Sequence, residues 1–212
     1  MPPAALIETV RVRAGVAPLW GLHLRRLALS CRDLGIPFPR GLAVPRGGAD
    51  RVRRLQVDAH GVQVSERAVG DTTPVRLVTA REPHRPYPHK TTARDQFERA
   101  LAEALGAGAD DALLLTPGGL IAEAAVWGIF WWEGDRLCAP ALDLGVLPGV
   151  ARARLAVMAG GIAERRLGVA ELAGHALFLA NAARGVVPIA SLDGHEVSAA
   201  PGTGALAARF WG

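Results

Sequence analysis

The chain has 212 residues, half of them apolar, enough to bury a core in one large domain or two small ones, which excludes general disorder. No apolar run approaches the roughly 18 residues of a membrane-spanning helix, and the opening Met-Pro-Pro-Ala-Ala-Leu-Ile-Glu lacks the basic start and apolar stretch of a signal peptide, so a cytoplasmic protein without membrane contact is expected. The net charge of +4 comes from arginines dispersed among Asp and Glu, which argues against the basic stripe of a nucleic-acid binder.

From Ile7 to Val12 apolar and polar residues alternate, Ala14-Gly15 marks a turn and Val16 to Trp20 resumes, which predicts a hairpin. Leu24, Leu27, Cys31 and Leu34 then share one face of a helix ended by Gly35 and Pro37, while His23, Arg26 and Ser30 share a second, polar face. Residues 40–50 read as a loop and 51–80 as short strands. Pro83, Pro86 and Pro88 favour extended backbone and predict a linker at 83–89, between a small domain (1–82) and a larger one (90–212).

Beyond the linker, Thr91 or Thr92 is placed to cap a helix over about 93–106. A hairpin follows, Asp111–Leu115 against Leu120–Trp132, turning at Pro117-Gly118-Gly119. Gly145 to Val150 is a glycine-containing turn that opens a helix carrying Leu155, Met158 and Ile162, and strands are expected at 176–179 and 186–192. The pattern is α+β with antiparallel hairpins. Cys31 and Cys138 stand in apolar settings, as buried thiols do, and no metal-ligand spacing is present.

Three positions carry chemistry. The chain uses arginine almost wherever it needs a cation, with Lys90 as the single lysine among 24 basic residues. An amine can lose its proton and act as a nucleophile, whereas a guanidinium cannot. Glu123 is an acid inside the apolar run Leu120 to Trp127 and needs a partner there. The Gly145–Val150 turn presents backbone N–H groups of the kind that bind anions.

Leu113 to Glu123 with the strand to Phe130, Gly145-Val-Leu-Pro-Gly-Val150 and Leu179-Ala-Asn-Ala-Ala-Arg-Gly-Val-Val-Pro188 resemble, in order, the motifs of class-IV pyridoxal 5′-phosphate (PLP) enzymes. That group includes branched-chain and D-amino-acid aminotransferases and aminodeoxychorismate lyase. Ile7 to Val12 and His23 to Leu27 resemble its N-terminal strand and helix, so the likeness spans nearly the whole chain and is weakest near 40–75. It implies a two-domain fold of type IV, with Lys90 as the Schiff-base lysine and proton shuttle, Glu123 as partner of the pyridine nitrogen and Arg26 as phosphate ligand. It also implies phosphate contacts from Gly149, Val150 and Ala151, closure of the site by Asn181 or Ala182, and a small-molecule amine substrate near Glu8, Thr9, Arg11 and Arg81.

The short form, the Glu123 to Trp132 strand and the run from Asn181 to Pro188 look closest to lyase-like members, which release 4-aminobenzoate and pyruvate from 4-amino-4-deoxychorismate in folate synthesis. A branched-chain or D-amino-acid aminotransferase is the alternative, although no Arg-x-His pair precedes the lysine as the D-specific enzymes lead one to expect. A degenerate, non-catalytic member is the third reading, supported by Ala151 where the family has a polar residue and by a first strand reached already at about Ile7. Trp127-Gly128 also replaces the family's Ser-Asn-like pair. The resemblance implies a homodimer, with Phe210-Trp211 as an exposed-looking contact candidate.

Overall fold

In the computed structural model, which describes residues 4–212, the first alternating segment forms strand β1 (Leu6–Val12), but not within the expected hairpin. Ala14 and Gly15 take positive φ, 47° and 76°, as a tight reversal requires. The pairing then stops at one bridge, Arg13 to Val16, because Trp20 already opens helix α1 (Trp20–Leu34). β1 pairs instead with β2 (Arg51–Asp58), and β2 with β3 (Gly61–Arg67), both antiparallel. Helix α1 packs Trp20, Leu27 and Cys31 onto Leu6, Val10, Leu55 and Val57 of this small sheet. It ends at Gly35, whose φ of 65° is the left-handed closure that glycine adopts without cost from a Cβ. Leu34 is 45% exposed while His23 and Ser30 are buried, so the polar face of α1 turns inward.

The larger sheet is built from β4 (Val75–Thr79), β5 (Asp111–Leu115), β6 (Ile121–Ala124), β7 (Gly128–Glu133), β8 (Arg136–Pro140), β9 (Ala163–Arg165), β10 (Leu177–Asn181), β11 (Gly185–Leu192) and β12 (His195–Glu196). Its order is β6-β5-β4-β11-β10-β7-β8-β9, with β12 beside β11. The β4–β5, β4–β11 and β8–β9 pairs are parallel and the rest antiparallel. β4, expected before the 83–89 linker, hydrogen-bonds into this sheet, so the change of sheet falls between Arg67 and Val75.

The stretch from Leu120 to Trp132 is two strands, not one. β6 and β7 stand five strand spacings apart in the sheet order, about 24 Å if it were flat, yet only residues 125–127 join them, with a reach of roughly 14 Å. The sheet must therefore curl, and the Ala124 N–H meets the Trp127 carbonyl at 2.9 Å across the break. Asp111 holds this corner. Fully buried, it accepts hydrogen bonds from the amides of Ala112, Ala125 and Val126, and burial pushes its carboxyl up to about 6.

Helices α2 (Asp95–Gly106), α3 (Val150–Met158) and α4 (Pro201–Arg209) pack on this sheet. No side chain caps α2: the Thr92 hydroxyl accepts the Ala5 N–H, and Thr91 reaches only Ala93. Ile162 lies beyond the end of α3 but still packs with its residues. The C-terminal aromatics fold back onto the chain. Phe210 is wholly buried, and Trp211 is partly buried against Gly185, so neither is the exposed contact expected of them. Both cysteines are free and buried. Among the described residues no helix is long and apolar enough to cross a membrane.

Candidate active site

The proline-punctuated segment delivers Lys90 to the junction of the two sheets. The Tyr87 N–H donates to the Gly145 carbonyl at 2.7 Å, and Gly145 approaches Pro86 so closely that an added Cβ would lie 2.7 Å from the ring, which requires glycine there. The Tyr87 hydroxyl donates to the Thr91 carbonyl and accepts the Thr91 N–H, each at 2.6 Å, closing a turn around Lys90. From the other side the Ile7 N–H donates to the Lys90 carbonyl at 2.7 Å. The side chain enters a cavity also lined by Arg26, Arg94 and Glu123. Burial, reinforced by the Arg26 and Arg94 guanidiniums, lowers its amine to about 7, against the pull of Glu8 and Glu123. At neutral pH much of this amine is unprotonated and nucleophilic.

Glu123, 8% exposed, forms one wall. Its Oε1 accepts the Leu147 N–H at 3.1 Å and lies 3.0 Å from His84 Nε2. Both protein contacts fall on that oxygen.

Another part of the cavity is suited to an anion. Helix α3 begins after Gly149 without a side-chain cap, and its first backbone hydrogen bond is donated by the Ala153 N–H to the Gly149 carbonyl, leaving the amides of Val150, Ala151 and Arg152 without backbone partners among the described residues. Gly149, Val150, Ala151 and Arg26 all line the cavity. Arg26 is held from behind by Glu8, with Nε to Oε1 at 2.9 Å and Nη2 to Oε2 at 2.5 Å, while His23 Nδ1 lies 2.6 Å from the same Oε2. Glu8 is 2% exposed. Burial pulls its carboxyl upward, but Arg26 and His23 together outweigh that effect and lower it to about 2. Burial in turn lowers His23.

Of the residues singled out from sequence, Lys90, Glu123, Arg26, Thr9, Gly149, Val150, Ala151, Asn181 and Ala182 line this one cavity. Three substrate-side candidates do not. Glu8 lies beneath Arg26, Arg11 pairs with Asp50 and reaches the Ala183 carbonyl, and Arg81 is exposed just past β4. Asn181 uses its amide to hold the Val126 carbonyl and the amides of Ala183 and Arg184, which shapes the wall. Trp127 lines the cavity beneath the Arg184 guanidinium, 4.0 Å from the ring centroid.

Sequence reasoning missed Arg94, Tyr87, His84 and Asp111. Arg94 lines the cavity, donates to the Ala125 carbonyl at 2.9 Å and stacks over Phe97. Asp111, an acid at the head of an apolar strand, carried the same signal that drew attention to Glu123. The contacts of Arg94, Tyr87 and His84 are made across the fold, and no local pattern shows them.

A family description, Amino-transferase class IV, matches residues 52–192. No curated protein matches the chain. Solved structures do. One, provisionally assigned as a 4-amino-4-deoxychorismate lyase from Legionella pneumophila, has a TM-score of 0.82 and 24% identity over 95% of this chain and 88% of that one. A provisionally assigned amino-acid aminotransferase from Mesorhizobium loti has a TM-score of 0.77 and 27% identity over 89% and 99%. An aminotransferase from Brucella abortus, bound to PLP, has a TM-score of 0.80 and 21% identity over 98% and 88%. These likenesses show the type-IV fold, and with a family match across about two thirds of its length the chain belongs to the class-IV aminotransferases, a PLP-dependent family.

Proposed function

We propose that this chain is a PLP-dependent lyase that converts 4-amino-4-deoxychorismate into 4-aminobenzoate and pyruvate. The observation that carries the PLP-dependent part of the proposal is the gathering of a lysine of lowered pKa, a buried carboxylate and an uncapped helix N-terminus beside an arginine in a single cavity. These groups fit the cofactor's aldehyde, ring nitrogen and phosphate. Lys90 would hold it covalently, Glu123 would face the pyridine nitrogen, and Arg26 with the Val150 and Ala151 amides would hold the phosphate, the amides doing so without the hydroxyl that Ala151 lacks.

When bound, the cofactor supplies an electron sink that makes the hydrogen on the amine-bearing carbon acidic. Lys90 then moves that proton, for which an amine near neutrality is suited. Burial, with Arg26 and Arg94 beside it, favours the unprotonated amine, and Trp127, Ile129 and Phe130 give the cavity an apolar wall. Arg94 engages one backbone carbonyl through Nη2 and has further donors for a substrate carboxylate.

The lyase reading is supported by the Asn181 to Pro188 run and by the likeness to the Legionella protein. The likeness to the Mesorhizobium protein, at 27% identity, favours a second reading as an amino-acid aminotransferase. Incubation of the PLP-loaded protein with 4-amino-4-deoxychorismate separates the two. Equal amounts of 4-aminobenzoate and pyruvate are expected, whereas amino transfer from leucine or D-alanine to 2-oxoglutarate with no 4-aminobenzoate overturns the lyase assignment. Neither activity in PLP-loaded protein makes it a non-catalytic member.

The amine of Lys90 also sets a pH dependence. Only the unprotonated form captures an aldehyde, so with a pKa of about 7 the capture rate of apoprotein is expected to rise roughly tenfold from pH 6 to pH 8 and then level. Stopped-flow absorbance with added PLP measures it. A rate still climbing at pH 10 would show an amine of ordinary basicity.

A further inference from the structure

His84 stands outside the set of cavity-lining residues, yet its geometry is tied to one of them. The ring is wholly buried, and Nε2 has a single protein partner, Glu123 Oε1, at 3.0 Å. Its other nitrogen, Nδ1, is buried with no hydrogen-bond partner among the described residues. The backbone is anchored separately, since the His84 N–H donates to the Leu115 carbonyl at 2.6 Å, and the ring packs on Phe97 with centroids 6.2 Å apart. With Glu123 Oε1 as its one polar contact, the ring makes a hydrogen bond only when Nε2 carries the N–H and donates it to the carboxylate; the alternative would set the Nε2 lone pair against that oxygen and bury an orphaned donor at Nδ1. The Leu147 N–H donates to the same Oε1 at 3.1 Å. Two donors fixed on one oxygen leave Oε2 as the acceptor for whatever the cavity holds.

We infer that His84 is the positioning residue of Glu123, locking the carboxylate through Oε1 so that Oε2 is presented to the ring nitrogen of the cofactor. This rests on the reading of Glu123 as the pyridine-nitrogen partner. His84 lies outside the cavity lining and acts through Glu123. It acts by removing the rotational freedom of an acid whose only other anchor is a backbone amide, and its own register is set by β5 and Phe97.

The test compares His84→Leu, which removes the donor, with His84→Gln, whose amide N–H can stand where Nε2–H stood, and with Glu123→Gln. In His84→Leu, kcat is expected to fall about ten- to hundred-fold with little change in KM, the size of one charge-assisted hydrogen bond. His84→Gln should recover most of it. The absorption maximum of the bound cofactor and its pH midpoint should move in His84→Leu in the direction seen for Glu123→Gln, and the double variant should be no worse than Glu123→Gln alone. If His84→Leu does not fold, His84→Asn, too short to reach Oε1, takes its place against His84→Gln. A spectrum and kcat unchanged in the donor-less variant, while Glu123→Gln shifts both, overturn the inference and leave the role of Glu123 intact. No change in Glu123→Gln itself overturns the reading beneath it.

Discussion

Lys90→Arg is expected to lose cofactor attachment and turnover as completely as Lys90→Ala, although it retains a basic side chain. A guanidinium stays protonated in a protein, so it can neither add to an aldehyde nor carry the proton that the reaction moves. The loss of general acid–base function alone is worth up to about 10⁴-fold in rate. The cavity should still take up PLP through Arg26 and the start of α3, so weak, non-covalent retention is the expected residue of binding. Borohydride reduction followed by mass mapping is the measurement. Wild type should carry the pyridoxyl group on Lys90 and both variants should carry none. A reduced adduct elsewhere in the chain, or full activity in Lys90→Arg, would remove Lys90 from the chemistry.

Glu8→Gln is expected to destabilise the apoprotein by about 3 kcal/mol, because it leaves the Arg26 guanidinium nearly buried without its counter-charge. His23 suffers as well. Its Nε2 is already a buried atom without a partner among the described residues, and the change weakens the contact at Nδ1. For a chain of this length such a loss lowers Tm by on the order of 10 °C. The effect has a definite pH dependence. The folded Glu8 carboxyl is held at about 2, below its usual 4.5, so its stabilisation is present in full above pH 4.5 and disappears as pH falls toward 2. The gap between wild type and variant in thermal melts should therefore narrow from pH 5 to pH 2.5. A constant gap would mean that the loss is one of packing. Because the same carboxylate aims Arg26, the variant should also release PLP faster on dialysis.

Glu8 shows where sequence reading reached its limit. The resemblance set it among residues lining the substrate, yet it shares the inward parity of β1 with Leu6, Val10 and Val12, all buried. The inward parity of Glu8 was legible in the alternation of β1, but that it faces His23 and Arg26, one turn apart on α1, is decided by how the helix packs on the sheet. Thr9, of the opposite parity, is the one of the four substrate-side candidates that lines the cavity. The break after Ala124 was not legible in the same way. The apolar run continues unbroken to Trp132, and the corner depends on Asp111, on the Asn181 amide and on Arg94, which arrive from distant parts of the chain.

The sequence by itself determined the candidates for chemistry. A lone lysine in an arginine-rich chain, an acid in an apolar strand and a glycine turn before a helix are local statements about which groups can ionise, donate or accept. Only the tertiary structure decided that they meet, because the curl of the sheet brings β6 back beside β7 and the Ile7–Lys90 hydrogen bond ties the small sheet to the segment that carries the lysine. It also decided the state of the amine. Burial and two guanidiniums lower Lys90, and both are properties of what surrounds a residue in space, which the order of the chain does not specify.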